Sequence, residues 1–100
     1  MSIPNLQVAL DHSNVKDAIK DEVAVGQEVD IIEAGTVLML EVGSEVVGVL
    51  RELFPNKTIV ADTKCADAGG TVAKNCANRG ADWMTCICSA TIATMKAAAK

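Results

Sequence analysis

Aromatic residues are scarce in this sequence, which has one Phe, one Trp and no Tyr although half of its 100 residues are apolar. The apolar residues are therefore mostly Val, Ile, Leu, Ala and Met, a mixture typical of parallel strands that are covered by helices. One hundred residues suffice for one small domain with a moderate core and are too few for two domains. We expect one α/β unit over residues 1–100.

Clustered basic residues and long apolar runs are also lacking. The Lys and Arg residues are scattered and the net charge is -4 at pH 7, which argues against a nucleic-acid partner because phosphate binding needs clustered positive charge. Residues 1–5 carry no basic region, and the apolar run after them is far too short for a secretory signal or a membrane span. We expect a cytoplasmic protein without a membrane partner.

The common cysteine and glycine motifs are absent. The four cysteines form no Cys-x-x-Cys pair, so a zinc site is not indicated, and reduced thiols are expected in the cytoplasm. There is no G-x-G-x-x-G, which leaves dinucleotide binding with little support. The residues that remain as candidates for chemistry are charged ones.

Apolar runs alternate with helical patterns four times along the chain. The predicted strands end at about Leu10, Ile32, Ala61 and Cys88. Such repetition of β and α indicates a parallel sheet with right-handed crossovers. It fits either an open doubly wound sheet or a (β/α)8 TIM barrel. Because a barrel needs roughly 200 residues or more, the second architecture would make this chain the amino-terminal half of a barrel, with four βα units.

Helix boundaries are predicted from caps and glycines. Ser13 or Asn14 can cap a first helix that Gly26 closes, and Ser89 can cap the last one. Further helices are expected over 43–53 and 71–79. The apolar segment 37–42 fits neither an exposed loop nor a confident helix.

Acidic residues follow three of the predicted strands. Asp11, Glu33 and Asp62 each come directly after a strand, so all three should lie on one rim of the sheet. Three carboxylates repel one another unless a cation lies among them, and hard oxygen ligands suit Mg²⁺. The plainer alternative is that each acid caps the next helix or accepts N–H groups of a loop. As a set, the three acids favour a functional site.

Lys64 adds a positive charge beside these acids. Side chains alternate along a strand, so Asp62 and Lys64 should project to the same side. An ammonium there can stabilise an oxyanion or enolate and later deliver a proton, if carboxylates such as Asp62 and Asp67 keep it charged and oriented. The alternative is a surface ion pair worth about 0–1 kcal/mol.

Three other residues have competing interpretations. His12 adjoins Asp11, but we expect it to be an exposed loop residue that points away from that acid. Trp83 is expected to anchor core or subunit packing. Thr36 is a candidate either for contact with a ligand hydroxyl or for a helix cap.

Three motifs resemble one known family. The stretches 6–11, 29–36 and 61–69 read LQVALD, VDIIEAGT and ADTKCADAG. They resemble the first three strand ends of the orotidine 5′-phosphate decarboxylase superfamily, whose signature is Asp-x-Lys-x-x-Asp. The second stretch is similar to the Mg²⁺-dependent branch, which contains 3-keto-L-gulonate 6-phosphate decarboxylase and 3-hexulose 6-phosphate synthase. Residues 65–67 and 81–88 look more like the decarboxylase.

The resemblance implies a reaction and a set of roles. It implies Mg²⁺-dependent decarboxylation of the sugar phosphate 3-keto-L-gulonate 6-phosphate to L-xylulose 5-phosphate through a 1,2-enediolate, in L-ascorbate catabolism. Glu33 and Asp62 would be the Mg²⁺ ligands. Asp11, Glu33 and Lys64 would bind substrate, and Lys64 would stabilise the enediolate. Asp62, Lys64 and Asp67 would form the catalytic set, with Asp67 reaching the active site of the neighbouring subunit, so that a homodimer is implied.

The resemblance also implies that this stretch is incomplete as a site. In that family the groups that grip the phosphate and deliver the proton come from later strands, so the chain would hold half an active site and be inactive alone. Two alternatives stay open. One is the synthase reaction, addition of formaldehyde to ribulose 5-phosphate. The other is a non-enzymatic, flavodoxin-like α/β module whose acidic rim binds a cation or a partner.

Overall fold

The computed structural model describes residues 3–100. Met1 and Ser2, which open the segment where no secretory signal is expected, lie outside this range. The elements within it are β1 (Gln7–Leu10), α1 (Val15–Val25), a 3-10 turn (Gly26–Glu28), β2 (Ile31–Ala34), α2 (Thr36–Val42), α3 (Glu45–Leu53), β3 (Thr58–Cys65), α4 (Gly69–Arg79), β4 (Trp83–Cys86) and α5 (Ile92–Ala99). None of these helices is long and apolar enough to cross a membrane.

The four strands form one parallel sheet in the order β1-β2-β3-β4. Each new strand is therefore added on the same side of the one before it. In a doubly wound sheet the chain reverses that direction, so that β1 lies inside the sheet rather than at its edge. The sequential order is that of a barrel wall. The predicted half barrel is confirmed, and the open doubly wound alternative is wrong.

The core lies between the sheet and its helices, because alternate strand positions point toward the helices. Its fully buried members are Leu10, Ile32, Ala34, Ile59 and Ala61 of the strands, and Leu38, Val46, Val47 and Leu50 of α2 and α3. The intervening strand positions face the other side of the sheet, where the polar residues lie. The same alternation that fills the core thus presents the candidate site on the opposite face.

Two predicted strand ends are wrong. Glu33 lies inside β2 and Asp62 inside β3, and only Asp11 follows its strand. The ladder runs past both acids because their side chains point away from the core, while Ala34 continues the buried face. β4 is shorter than predicted and ends at Cys86.

Some helix signals act as predicted and others do not. The Asn14 side chain accepts a hydrogen bond from the Asp17 N–H at 2.9 Å and caps α1. The cap of α5 is Thr91 rather than Ser89. Gly26 has φ of −58°, so it is not a left-handed terminus; a Cβ there would overlap the Phe54 ring. The ambiguous segment 37–42 is helical, because α2 buries Leu38 in the core.

All four cysteines are free thiols, as expected. Cys65 and Cys76 are buried, Cys86 is half-buried and Cys88 is exposed. The sheet and its helices therefore hold together without a disulfide.

Candidate active site on the strand rim

Asp62 and Lys64 form an ion pair on the open face of the sheet. Lys64 Nζ donates to Asp62 Oδ2 at 3.0 Å and to Thr36 Oγ1 at 2.7 Å. Both side chains project to the same side, as the strand pattern predicts. The Asp62 side chain is only 15% exposed and that of Lys64 is 54% exposed, so the acid lies in the wall and the ammonium reaches out of it.

Lys64 departs from regular strand geometry. Its φ is 46°, in the left-handed region, which costs a non-glycine residue about 1–2 kcal/mol. The β3–β4 register shifts between Ala61 and Cys65, the segment that contains it. Such bulges re-aim side chains and are common beside functional sites. The direction of the ammonium thus depends on the bulge as well as on strand alternation.

Two threonine hydroxyls surround Asp62. Thr85 Oγ1 donates to Asp62 Oδ1 at 2.6 Å, and Thr36 Oγ1 donates to the Asp62 carbonyl at 3.0 Å. Burial raises the pKa of Asp62, but the hydrogen bonds from Thr85 and Lys64 outweigh it and leave the pKa below its ordinary value. Asp62 is therefore a carboxylate at neutral pH. Thr36 does not cap α2, whose N-cap is Gly35.

Glu33 lies beside Asp62. Its Oε1 accepts a hydrogen bond from Gln7 Nε2 at 2.7 Å. Burial raises the pKa of Glu33, and the neighbouring Asp62 carboxyl and the charge of Asp11 raise it further. Two acids that share one place disfavour full ionisation of both. The pair therefore carries unbalanced negative charge that a cation would neutralise.

Asp11 lies against the turn between β2 and α2. A Cβ at Gly35 would overlap Asp11 Oδ1 and come within 2.7 Å of the Leu10 carbonyl, so only glycine leaves room for this approach. Asp11 is exposed, and its charge reaches Glu33, as the raised pKa of Glu33 indicates. The three predicted acids thus share one rim, with Asp11 at its outer side.

The donor set fits a metal ion held by two carboxylates rather than by three. Within residues 3–100, no three or more His, Cys, Asp or Glu side chains are grouped closely enough to hold a metal ion together. Glu33 and Asp62 are nevertheless adjacent hard-oxygen ligands. Mg²⁺ commonly binds through one or two carboxylates and keeps several waters. Their pairing is compatible with that ion.

Three candidate residues lie away from this pair. Asp67 is exposed, and its carboxylate has no hydrogen bond or ion pair to another residue in the range 3–100. His12 is half-buried rather than exposed, and its Nε2 lies 2.7 Å from Asp21 Oδ2 of α1. Trp83 is 54% exposed on an edge strand, so it does not anchor the core of this chain. Lys64 and Asp67 therefore do not meet within one chain.

Sequence reasoning missed Gln7 and Thr85. Both are polar residues inside strands whose other members are mostly apolar, and this is the signal that could have singled them out. Neither is close in sequence to the acid that it contacts. A surface cavity between α4, β4 and α5 is lined mostly by apolar residues, lies on the helix side of the sheet, and includes none of the candidate site residues.

Comparisons with known proteins bear on this rim. Residues 4–100 match the model of the orotidine 5′-phosphate decarboxylase / HUMPS family. The chain is 51% identical over 96 residues to the 3-keto-L-gulonate-6-phosphate decarboxylase SgbH of Escherichia coli K12, covering 96% of this chain and 44% of that protein.

Solved structures agree in fold. KGPDC from Streptococcus mutans matches with a TM-score of 0.95 and 78% identity over 97% of this chain and 46% of that one, and it has also been solved in complex with a sugar phosphate. The 3-hexulose-6-phosphate synthase from Salmonella typhimurium matches with a TM-score of 0.92 and 29% identity over 96% and 46%.

The chain spans slightly less than half the length of these relatives. The match runs through the β1, β2 and β3 ends that carry Asp11, Glu33 and Asp62, and through Lys64 and Asp67. The sheet order, the rim of acids and the family match agree. This chain belongs to the orotidine 5′-phosphate decarboxylase / HUMPS family, within which its relatives include 3-keto-L-gulonate-6-phosphate decarboxylases.

Proposed function

We propose that this chain supplies the amino-terminal half of the active site of a 3-keto-L-gulonate 6-phosphate decarboxylase. The observation that carries the proposal is the grouping of Glu33, Asp62 and Lys64 on the carboxyl rim of a sheet in barrel order. In (β/α)8 enzymes this rim is where catalysis takes place. The relatives that are named for this reaction support the choice of substrate.

Lys64 meets the charge that the reaction creates. When CO₂ leaves a β-keto acid, the electron pair of the broken carbon–carbon bond moves onto the former keto oxygen, which gives an enediolate. A fixed positive charge at that oxygen lowers the barrier because it acts where charge develops. Lys64 Nζ is held by Asp62 and Thr36, and it has protons to return to the enediolate carbon.

Asp62 and Glu33 have different tasks. Asp62 is ionised because of its hydrogen bonds, so it keeps Lys64 charged and directed. Glu33 is oriented by Gln7 and shares the negative charge of the site. The two acids would hold Mg²⁺, which when bound supplies electrophilic assistance to the substrate oxygens. Asp11, exposed at the outer side of the rim, would bind substrate hydroxyls.

Asp67 would act on a second subunit. Its exposed carboxylate contacts no side chain within the part of the chain that the structure describes, which supports a role in the site of a neighbouring copy. The proposed protein is a cytoplasmic homodimer that acts on a sugar phosphate, in L-ascorbate catabolism. Its phosphate-binding and proton-delivering groups would come from later strands of the barrel.

The proposal is tested by completing the barrel. We expect this chain, joined to the carboxyl-terminal half of Streptococcus mutans KGPDC, to release CO₂ from 3-keto-L-gulonate 6-phosphate, and the chain by itself not to. Lys64→Met should lower kcat about 10²–10³-fold, the range seen when one charge-stabilising donor is removed. The matched control is Lys74→Met on the exposed side of α4, which should keep full activity.

Other outcomes would contradict parts of this proposal. Turnover by the chain alone that depends on Lys64 would show that half a site is enough. Faster addition of formaldehyde to ribulose 5-phosphate than CO₂ release would favour the synthase, which the structural match to such an enzyme makes the second candidate. A cation-binding module without activity would bind Mg²⁺ equally well with and without the second half.

A further inference from the structure

The β3–β4 pairing contains an insertion at the active-site rim. Ala61 pairs with Met84 and Cys65 pairs with Cys86. Three residues of β3, numbers 62–64, therefore stand opposite a single residue of β4, Thr85. Extra residues in a strand leave backbone groups without ladder partners, and a bulge persists only if other groups bind them.

Thr85 is hydrogen-bonded to each of the three inserted residues. Its Oγ1 donates to Asp62 Oδ1 at 2.6 Å and accepts from the Lys64 N–H at 3.0 Å. Its carbonyl accepts from Thr63 Oγ1 at 2.8 Å. A hydroxyl has one donor and two acceptor sites, and the ionised Asp62 can only accept, so the direction of both Oγ1 bonds is fixed.

This hydroxyl lies behind the two groups that do the chemistry. The Lys64 backbone has a φ of 46°, which is unfavourable unless its surroundings hold it there. The bond from its N–H to Thr85 anchors that conformation at one end, and the bonds of Nζ to Asp62 and Thr36 anchor the side chain at the other. An apolar side chain of the same shape would release both Asp62 and the Lys64 amide.

We propose that Thr85 is a positioning residue, which fixes the carboxylate of Asp62 and the backbone of Lys64 through one hydroxyl without contacting substrate. This inference rests on the proposed function for its catalytic consequence, and on the bulge geometry alone for its structural one. The two consequences can be measured separately.

The test compares Thr85→Val, which keeps the shape and removes the hydroxyl, with Thr85→Ser, which keeps the hydroxyl. In this chain, Thr85→Val should speed hydrogen exchange of the Lys64 amide and weaken Mn²⁺ binding about 10–100-fold, the usual effect of losing a group that orients a metal ligand. In the completed barrel kcat should fall by a similar factor. Thr85→Ser should stay within about threefold of the parent in all three measurements.

The matched control is Thr58→Val, at the opposite end of β3, where the hydroxyl makes no hydrogen bond to another residue in 3–100. It should leave Lys64 amide exchange and Mn²⁺ affinity unchanged. Thr85→Ala, which adds no bulk, serves as a second variant if valine prevents folding, and it should behave as valine does.

The proposal is overturned if Thr85→Val leaves both the Lys64 amide exchange and the Mn²⁺ affinity unchanged, or if serine is as damaging as valine. A parent barrel that releases no CO₂ would contradict the proposed function instead. The amide exchange of Lys64 would still decide the role of Thr85 in that case.

Discussion

Glu22 is the one fully buried acid in the part of the chain that the structure describes. It lies in α1, and neither of its carboxyl oxygens has a hydrogen-bond partner. Its Oε1 and the Phe54 ring both lie where a Cβ at Gly26 would fall, so its surroundings are a ring and a helix end. Burial raises the pKa of Glu22. This residue opposes folding whenever it is ionised.

Replacing this acid should stabilise the protein in a pH-dependent way. A folded-state pKa above the unfolded value of 4.5 means that its favourable proton binding is complete below that pH and is lost as pH rises through the folded pKa. Glu22→Met is therefore expected to raise the free energy of unfolding by about 1–3 kcal/mol near pH 8, and by less near pH 4. Urea unfolding at both pH values measures this.

The control for that change is Glu28→Met, an exposed acid in the adjacent 3-10 turn. Its effect should stay within about 0.5 kcal/mol at either pH. A Glu22→Met protein that is less stable than the parent near pH 8 would show that the carboxylate has a partner in solution.

At the scale of elements, one side chain joins three of them. Arg51 of α3 donates from Nε to the Gly80 carbonyl at 2.9 Å and from Nη1 to the Lys57 carbonyl at 2.8 Å, and Nη2 pairs with Asp82. Asp82 in turn accepts from the Ile59 N–H at 3.0 Å. The guanidinium thus connects the end of α3, the start of β3 and the turn into β4, opposite the catalytic rim.

A single ammonium cannot reproduce this fork of donors. Arg51→Lys is expected to lower the free energy of unfolding by about 2 kcal/mol at neutral pH, since at least two of the bonds would be lost. Arg79→Lys is the control, because Arg79 is half exposed and 3.9 Å from Glu45, and it should cost at most about 0.5 kcal/mol.

The effect of Arg51→Lys should also shrink in acid. Burial raises the pKa of Asp82, but the Ile59 N–H and Arg51 outweigh this and lower it below 3.8. A depressed folded-state pKa gives stability that is present above the unfolded value and is lost as pH falls through the folded one. Thermal unfolding of both proteins from neutral pH down to below about pH 3.8 tests this, and a difference that grows in acid would contradict the assigned ion pair.

At the scale of the whole molecule, the exposed position of Asp67 predicts complementation between subunits. Lys64→Ala and Asp67→Ala should each inactivate the completed barrel. In a hybrid dimer, one site would combine the intact Lys64 of one chain with the intact Asp67 of the other, and the second site would have both defects. Random exchange makes half of the dimers hybrid, so activity should return to roughly one quarter of the parent value.

The measurement is CO₂ release after the two inactive variants are unfolded together and refolded as a mixture. Each variant refolded alone is the control and should stay inactive. No recovery in the mixture, with dimers present, would mean that Asp67 serves its own subunit.

Local pattern was sufficient for much of this architecture. Alternation of apolar runs with helical periods is a property of neighbouring residues, so it predicted four βα units and a parallel sheet. Period-two alternation placed Asp62 and Lys64 on one side. It could not place the strand ends, because a charged residue that faces away from the core does not interrupt the backbone ladder, as Glu33 in β2 demonstrates.

The sequence by itself determined the α/β class, the acids of the rim and the resemblance that leads to the family. Only the tertiary structure decided the strand order, the bulge opposite Thr85, and the contacts of Gln7 and Thr36 with Glu33 and Lys64. The physical reason is separation along the chain: these hydrogen bonds join residues 21 to 28 positions apart. Their formation depends on which strands pair and in what register, and that is settled by packing of the whole sheet against its helices.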